Sequence, residues 1–146
     1  MKEITGNIWD YNNSYIVITT NGFVKSNGEC AMGRGVALEA KTRYSKLPKE
    51  LGSMIKDFGN HVYRFDQYKL LTFPVKHNWW EKADLSLIER SVQELKTATG
   101  FASGLNQLPI YMVRPGCSNG HLDWIDVKPI LEKYLDDRYI VVEKNP

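Results

Sequence analysis

The spacing of apolar positions changes several times along the chain, and each change marks an element. Tyr15-Ile16-Val17-Ile18 is an uninterrupted apolar run, short enough for a strand and apolar enough to be buried on both faces. Ile4 to Ile8 is a shorter strand candidate ahead of it, closed by Trp9-Asp10 and the turn-rich Asn12-Asn13-Ser14. From Gly35 the period lengthens, and Val36, Ala40 and Tyr44 fall on one helical stripe. A second helix is predicted over Pro48 to Phe58, with Pro48 in its first turn, Leu51 and Ile55 inward and Gly59 as its C-cap. His61–Phe65 and Tyr68–Phe73 then alternate as two strands around a hairpin turn at Asp66-Gln67, and Pro74 is expected to end the second.

Asp84 is a good N-cap for a long helix that buries Leu85, Ile88, Val92 and Leu95 and stops at Gly100. Leu108 to Val113 is a strand. Asp123 or Asp126 caps a last helix, the later start being easier for Pro129, with Val127, Ile130, Leu131 and Tyr134 inward. Tyr139 to Val142 is a final strand. Strands alternating with helices, with one hairpin inserted, imply an α/β fold: a mixed, mainly parallel sheet between helical layers. There is no repeat, low-complexity tract or linker, so residues 1–146 are expected to form one domain, with a monomer as the simplest state.

Composition narrows the class. At 146 residues with 42% hydrophobic side chains the chain can build a core without a disulfide or metal staple. No apolar run reaches membrane-spanning length, so no membrane partner is expected. The net charge of +2 neither requires nor excludes nucleic acid. Two widely separated cysteines, Cys30 and Cys117, outside any C-x-x-C pattern, suggest a reducing, cytoplasmic setting, the host cytoplasm if the chain is viral. His61 and His77 share no metal-ligand spacing with each other or with the cysteines, so no metal is expected.

The candidate chemistry lies in three loops that leave the carboxyl ends of strands, where α/β sheets bind ligands. The first, Asn21 to Gly35, ends on a helix N-terminus, whose unpaired N–H groups and partial positive charge suit phosphate or sugar oxygens. Gly33 and Gly35 would let backbone approach a ligand closely. Neither the P-loop nor the Rossmann spacing is present. The second, Arg114-Pro115-Gly116-Cys117-Ser118-Asn119-Gly120-His121, also bears glycines. The third, Val75 to Lys82, mixes cations with Trp79 and Trp80, a pattern that can stack bases and grip phosphates of single-stranded DNA. Trp9 and Trp124 read as core or loop-anchoring residues.

Asn21 after a buried strand, with Met32-Gly33-Arg34-Gly35-Val36-Ala37 opening a helix, resembles the first loop of a macrodomain, the ADP-ribose-binding fold. Phe73-Pro74-Val75-Lys76-His77-Asn78-Trp79 and Arg114 to Trp124 resemble a narrower branch, which holds the terminal ADP-ribose protein glycohydrolase of animals and the DarG antitoxins of bacteria. The likeness runs from Gly6 to the last strand, and its specificity comes from three loops in the right order. It implies a three-layer α/β/α macrodomain that binds ADP-ribose or an ADP-ribosylated substrate and removes ADP-ribose from a nucleobase in DNA or from protein, with no dissociable cofactor.

By match, the ligand residues are Asn7, Ile8, Asn21, Met32, Gly33, Arg34, Gly35 and Val36 on one side, and Pro115, Gly116, Cys117, Ser118, Asn119, Gly120 and His121 on the other. A bulky side chain at Gly33 or Gly120 is expected to fill ligand space. Lys76 matches the family's catalytic lysine, thought to attack the anomeric carbon. Such a lysine must lose its proton, so burial or nearby cations must depress its pKa, and His77, Lys82 and Arg114 are candidate cations. His121 is a second catalytic candidate. Two departures stand out. Asn7 occupies the place of an adenine-recognising Asp, and can accept that hydrogen bond without charge assistance, unless Asp10 substitutes. Gly120 occupies the place of the animal enzyme's catalytic Asp; DarG proteins also carry glycine there. The alternatives are a non-catalytic ADP-ribose reader and an ADP-ribose 1″-phosphate phosphatase.

Overall fold

The computed structural model describes residues 1–145. Six strands form one sheet in the order β1-β6-β5-β2-β4-β3. They are β1 (Lys2–Gly6), β2 (Tyr15–Asn21), β3 (Arg64–Phe65), β4 (Leu70–Lys76), β5 (Ile110–Met112) and β6 (Tyr139–Lys144). Every neighbouring pair is parallel except β3–β4. The helices are α1 (Gly35–Arg43), α2 (Leu47–Phe58), α3 (Leu85–Ala98) and α4 (Trp124–Tyr134).

The two-residue period of a strand divides the core into two halves. Tyr15 and Val17 of β2, with Leu71, Phe73 and Val75 of β4, face Ile88, Val92 and Leu95 of α3 and Val127 and Leu131 of α4. Ile16, Ile18 and Leu70 point to the other face, against Ala40 of α1 and Leu47, Leu51 and Ile55 of α2. The result is the expected three-layer α/β/α sandwich on a mixed, mainly parallel sheet.

Several local expectations are corrected. The first strand ends at Gly6, because the Asn7 side chain accepts the Trp9 N–H at 3.0 Å and starts a 3-10 turn over Ile8–Tyr11. The hairpin is lopsided. His61 and Val62 are drawn off by Glu94 of α3, which accepts the Val62 N–H at 2.9 Å and pairs with His61 Nδ1 at 2.8 Å, so β3 keeps two residues. The turn occupies Asp66 to Lys69, with Lys69 left-handed at φ 52°.

Pro74 does not end its strand; β4 runs through it to Lys76. Backbone alternation sends the Thr72 N–H to Tyr63 O and puts the nitrogen of Pro74 on the same side, where β3 has already stopped. A proline is tolerated there because no ladder bond is lost. In α3, Leu85 is exposed while Leu87 and Ser91 are buried. Helix α4 starts at the earlier cap, Asp123, and carries Pro129 inside. The carbonyl that Pro129 leaves without a donor belongs to Ile125, a residue 79% exposed, so water can reach it.

Candidate functional site

A cavity of about 1270 Å³ opens across the carboxyl ends of the parallel strands, between the loop before α1 and the loop before α4. The first loop is held by Asn21, whose amide donates to Ala31 O at 3.0 Å and whose Oδ1 accepts the Phe23 N–H at 2.9 Å. A small hairpin, Val24 paired with Cys30, closes it. Met32 is buried beneath, and the chain then enters α1 through Arg34, extended and without a side-chain cap. The N–H groups of Gly33, Arg34, Gly35, Val36 and Ala37 have no acceptor among the described residues. Gly33 has nothing within 4 Å of where a Cβ would stand, and Gly35 has φ +58° with the Asn119 amide 2.8 Å from that point.

The second loop is folded on itself by Leu122 N–H to Gly116 O at 2.9 Å and His121 N–H to Ser118 O at 3.1 Å, and tied to the head of α3 by Ala83 N–H to Gly120 O at 3.0 Å. Ser118, Asn119 and Gly120 leave their own N–H groups without an acceptor among the described residues. Two sets of free N–H donors therefore border one cavity, a cradle for anionic oxygens. Gly120 itself faces inward: a Cβ there would meet Gly116 O at 2.5 Å and Ala83 Cβ at 2.7 Å. The expectation that a side chain at Gly120 would fill ligand space is corrected; it would collide with protein. The same crowding leaves no room for an acidic side chain at this position with its neighbours unchanged.

Lys76 ends β4 where the β2–β4 ladder slips: Thr20 pairs with Pro74 but Asn21 with Lys76, leaving Val75 as an extra residue. Such a bulge re-aims the side chain that follows. The Lys76 ammonium donates to Asn119 O at 2.9 Å and to Trp79 O at 3.3 Å. Burial first, then the Arg34 charge, hold its pKa below the usual lysine value, while Glu81 pulls the other way. The depressing cation is thus Arg34, not His77, Lys82 or Arg114. Arg114 is engaged elsewhere, with Glu143 at 3.2 Å, Glu3 at 3.7 Å and the Trp124 ring.

A smaller groove of about 190 Å³ adjoins the cavity, lined by Trp80, Glu81 and His121 and sharing Arg34, Lys76, Trp79 and Asn119 with it. Lys76 therefore stands on the seam between two spaces. Neither tryptophan is packed away under the loop: Trp79 and Trp80 are 49% and 59% exposed, edge to face with each other, and Trp80 meets Phe23 edge-on. His121, left-handed at φ 61°, borders the groove and not the cavity.

Of the ligand residues expected by match, only Pro115 and His121 stand off the cavity wall; Pro115 is buried, its carbonyl accepting from Cys117 Sγ. Asn7 lines the wall with its Oδ1 already accepting from Trp9, and Asp10 does not line it. Burial pushes the thiols of Cys30 and Cys117 up to about 12 and about 11, which disfavours the reactive thiolate. Among the described residues no three His, Cys, Asp or Glu side chains gather as a metal site would need, and no helix is long and apolar enough to cross a membrane. Unforeseen wall residues include Trp124, Lys25 and Lys41. Trp124 lies in a matched stretch and Lys25 in the first candidate loop, so both could have been found there; Lys41, on α1, gave no signal beyond its charge.

No protein-family model matches the chain, and no curated protein matches it by sequence. Solved structures do. The macrodomain of Mycobacterium tuberculosis DarG is similar with a TM-score of 0.78 at 22% identity, covering 99% of this chain and 97% of that one. The macrodomain of Thermus aquaticus DarG gives 0.77 at 22% identity with the same coverage. Thermosipho africanus DarTG in complex with ADP-ribose gives 0.75 at 16% identity, covering 96% of this chain and 40% of the longer one. Likeness of this degree over the whole chain is likeness of architecture: the chain has the macrodomain fold, in the form shared with the DarG macrodomains.

Proposed function

We propose that this chain is an ADP-ribosyl hydrolase that binds ADP-ribose in the large cavity and cleaves the bond from C1 of its distal ribose to a target, foremost a nucleobase in DNA. The observation that carries the reading is Lys76 on the seam, between a space bordered by two rows of free N–H donors and a groove walled by exposed aromatics. The donors would hold the pyrophosphate and so use remote binding energy to fix the reacting carbon. Thermosipho africanus DarTG, 40% of which this chain matches in fold, has been solved with ADP-ribose. Trp79 and Trp80 would stack bases of single-stranded DNA.

In the reaction the bond from C1 to the base nitrogen breaks and one water is consumed, its oxygen ending on C1 and a proton on the departing nitrogen. Lys76, when neutral, would attack C1 or accept and return that proton; its burial and the nearby Arg34 charge favour the neutral form. Residues 1–146 would act as one macrodomain, a monomer in a reducing compartment, with no dissociable cofactor.

A second reading, a reader that binds ADP-ribose without turnover, is favoured by one feature: both carbonyls around Lys76 accept from its ammonium form. Parallel incubation with ADP-ribosyl-thymidine single-stranded DNA, a glutamate-linked ADP-ribosyl peptide and ADP-ribose 1″-phosphate separates these. Release of free ADP-ribose with restored DNA is expected. Tight binding with no release from any substrate would leave the reader, and inorganic phosphate would mark a phosphatase.

A further inference from the structure

Lys76 is the last residue of β4, and the backbone at that point lacks a strand on its outer side. β3 ends its pairing at Leu71. Past it, Pro74 O is taken by Ser91 Oγ at 2.7 Å, and Lys76 O is taken by the Asn60 side-chain amide at 3.0 Å. Asn60 comes from the connection after α2, two residues past Phe58. Its side chain is wedged under the start of the first loop: a Cβ on Gly22 would lie 2.6 Å from Asn60 Cγ. Gly22 in turn donates its N–H to His77 O at 3.1 Å. Asn60 is itself held from below, its carbonyl accepting from the Arg90 guanidinium. Arg90 pairs with Glu94 at 3.5 Å, the carboxylate that also anchors His61 and Val62.

We propose that Asn60 is the positioning residue for Lys76: its amide stands in for the missing strand, locks the end of β4 to the first loop, and so sets where the amine emerges between cavity and groove. The consequence for turnover rests on the hydrolase reading; the consequence for the amine does not. The chemistry is specific to a short amide. A carboxylate of the same shape would present an acceptor to an acceptor, and alanine would leave the Lys76 carbonyl without its partner.

Two variants test it, with two readouts. Asn60→Asp keeps the shape and abolishes the hydrogen bond, since a carboxylate has nothing to donate. Its kcat on ADP-ribosyl-thymidine DNA is expected to fall about ten- to hundredfold, as for a small misplacement of a reacting group, with KM within about threefold. Asn60→Ala adds no charge, so it reports on the amine. Competitive acetylation of Lys76 against pH, read by mass spectrometry with the exposed lysine Lys56 as internal reference, is expected to move toward higher pH as the amine loses its lodging. The charged and titratable groups facing that amine are Arg34 from the head of α1, Glu81 from its own loop, and His121 from the second loop; all stay in place in the variant. Should Asn60→Ala melt below the assay temperature, Asn60→Ser serves instead. An acetylation curve superposing on wild type, with Asn60→Asp turnover within twofold, would overturn the proposal. If wild type turns nothing over, the hydrolase reading falls, and the acetylation curve alone decides on Asn60.

Discussion

Lys76 donates to two backbone carbonyls and yet has a lowered pKa, because hydrogen bonds favour its charge while burial and Arg34 oppose it. If the free amine acts, turnover rises with pH through the Lys76 pKa. Removing the Arg34 charge relieves the ammonium of a repulsion, raises that pKa and shifts the rising limb of kcat to higher pH. Removing the Glu81 charge takes away an attraction, lowers the pKa and shifts the limb to lower pH. Profiles of Arg34→Gln and Glu81→Gln moving in the same direction, or not at all, would detach the limb from Lys76. Arg in place of Lys76 keeps the charge but cannot shed its proton. Both Lys76→Arg and Lys76→Ala are therefore expected to lose at least about a hundredfold in turnover. Both should keep ADP-ribose affinity within roughly tenfold, about 1.4 kcal/mol, measured by calorimetry.

At the scale of loops and strands, the glycines divide by what lies over them. Gly33 has open space where a Cβ would go, and Gly120 has backbone. Gly33→Ala is expected to leave stability within about 0.5 kcal/mol, and Gly33→Trp to block ADP-ribose binding without lowering Tm. Gly120→Ala should cost about 1–3 kcal/mol by overpacking, seen as a lower Tm without ligand. Equal stability of the two alanine variants would contradict the packing described. The sequence showed both glycines as loop residues but not which was crowded, since that depends on Ala83, 37 positions away. The same limit explains the other misreadings. Tyr15 to Ile18 and Asp84 were legible because run length and capping are local. Pro74 inside β4 was not, because what permits it is the early end of another strand. Lys76, Asn21 and the loop glycines were visible through motif order; Asn60 was not, because nothing near it in sequence shows that it meets Lys76.

Over the whole molecule, charge is unevenly spread. Lys25, Arg34, Lys41, Lys76, Arg114 and Lys144 line the cavity against Glu39, Asp123 and Glu143. The wall thus holds three net positive charges, and the remainder of the +2 chain carries one net negative. Such a field draws anions toward the cavity mouth and is weakened by salt. ADP-ribose is expected to raise Tm by mass action, and its affinity to fall roughly three- to tenfold between about 0.05 and 0.5 M salt. Calorimetry with no heat at millimolar ADP-ribose in low salt would remove ADP-ribose as the ligand.

The crowding at Gly120 also constrains how this protein could diversify. Any other residue there must place an atom against Gly116 O and Ala83, so an acidic group cannot be gained at that point by one substitution with the neighbours unchanged. Ala83 and the backbone at Gly116 would have to give way together, and Ala83 also ties the second loop to the head of α3. A change at that position would then have to come as a block, with Ala83 and Gly116, rather than one residue at a time.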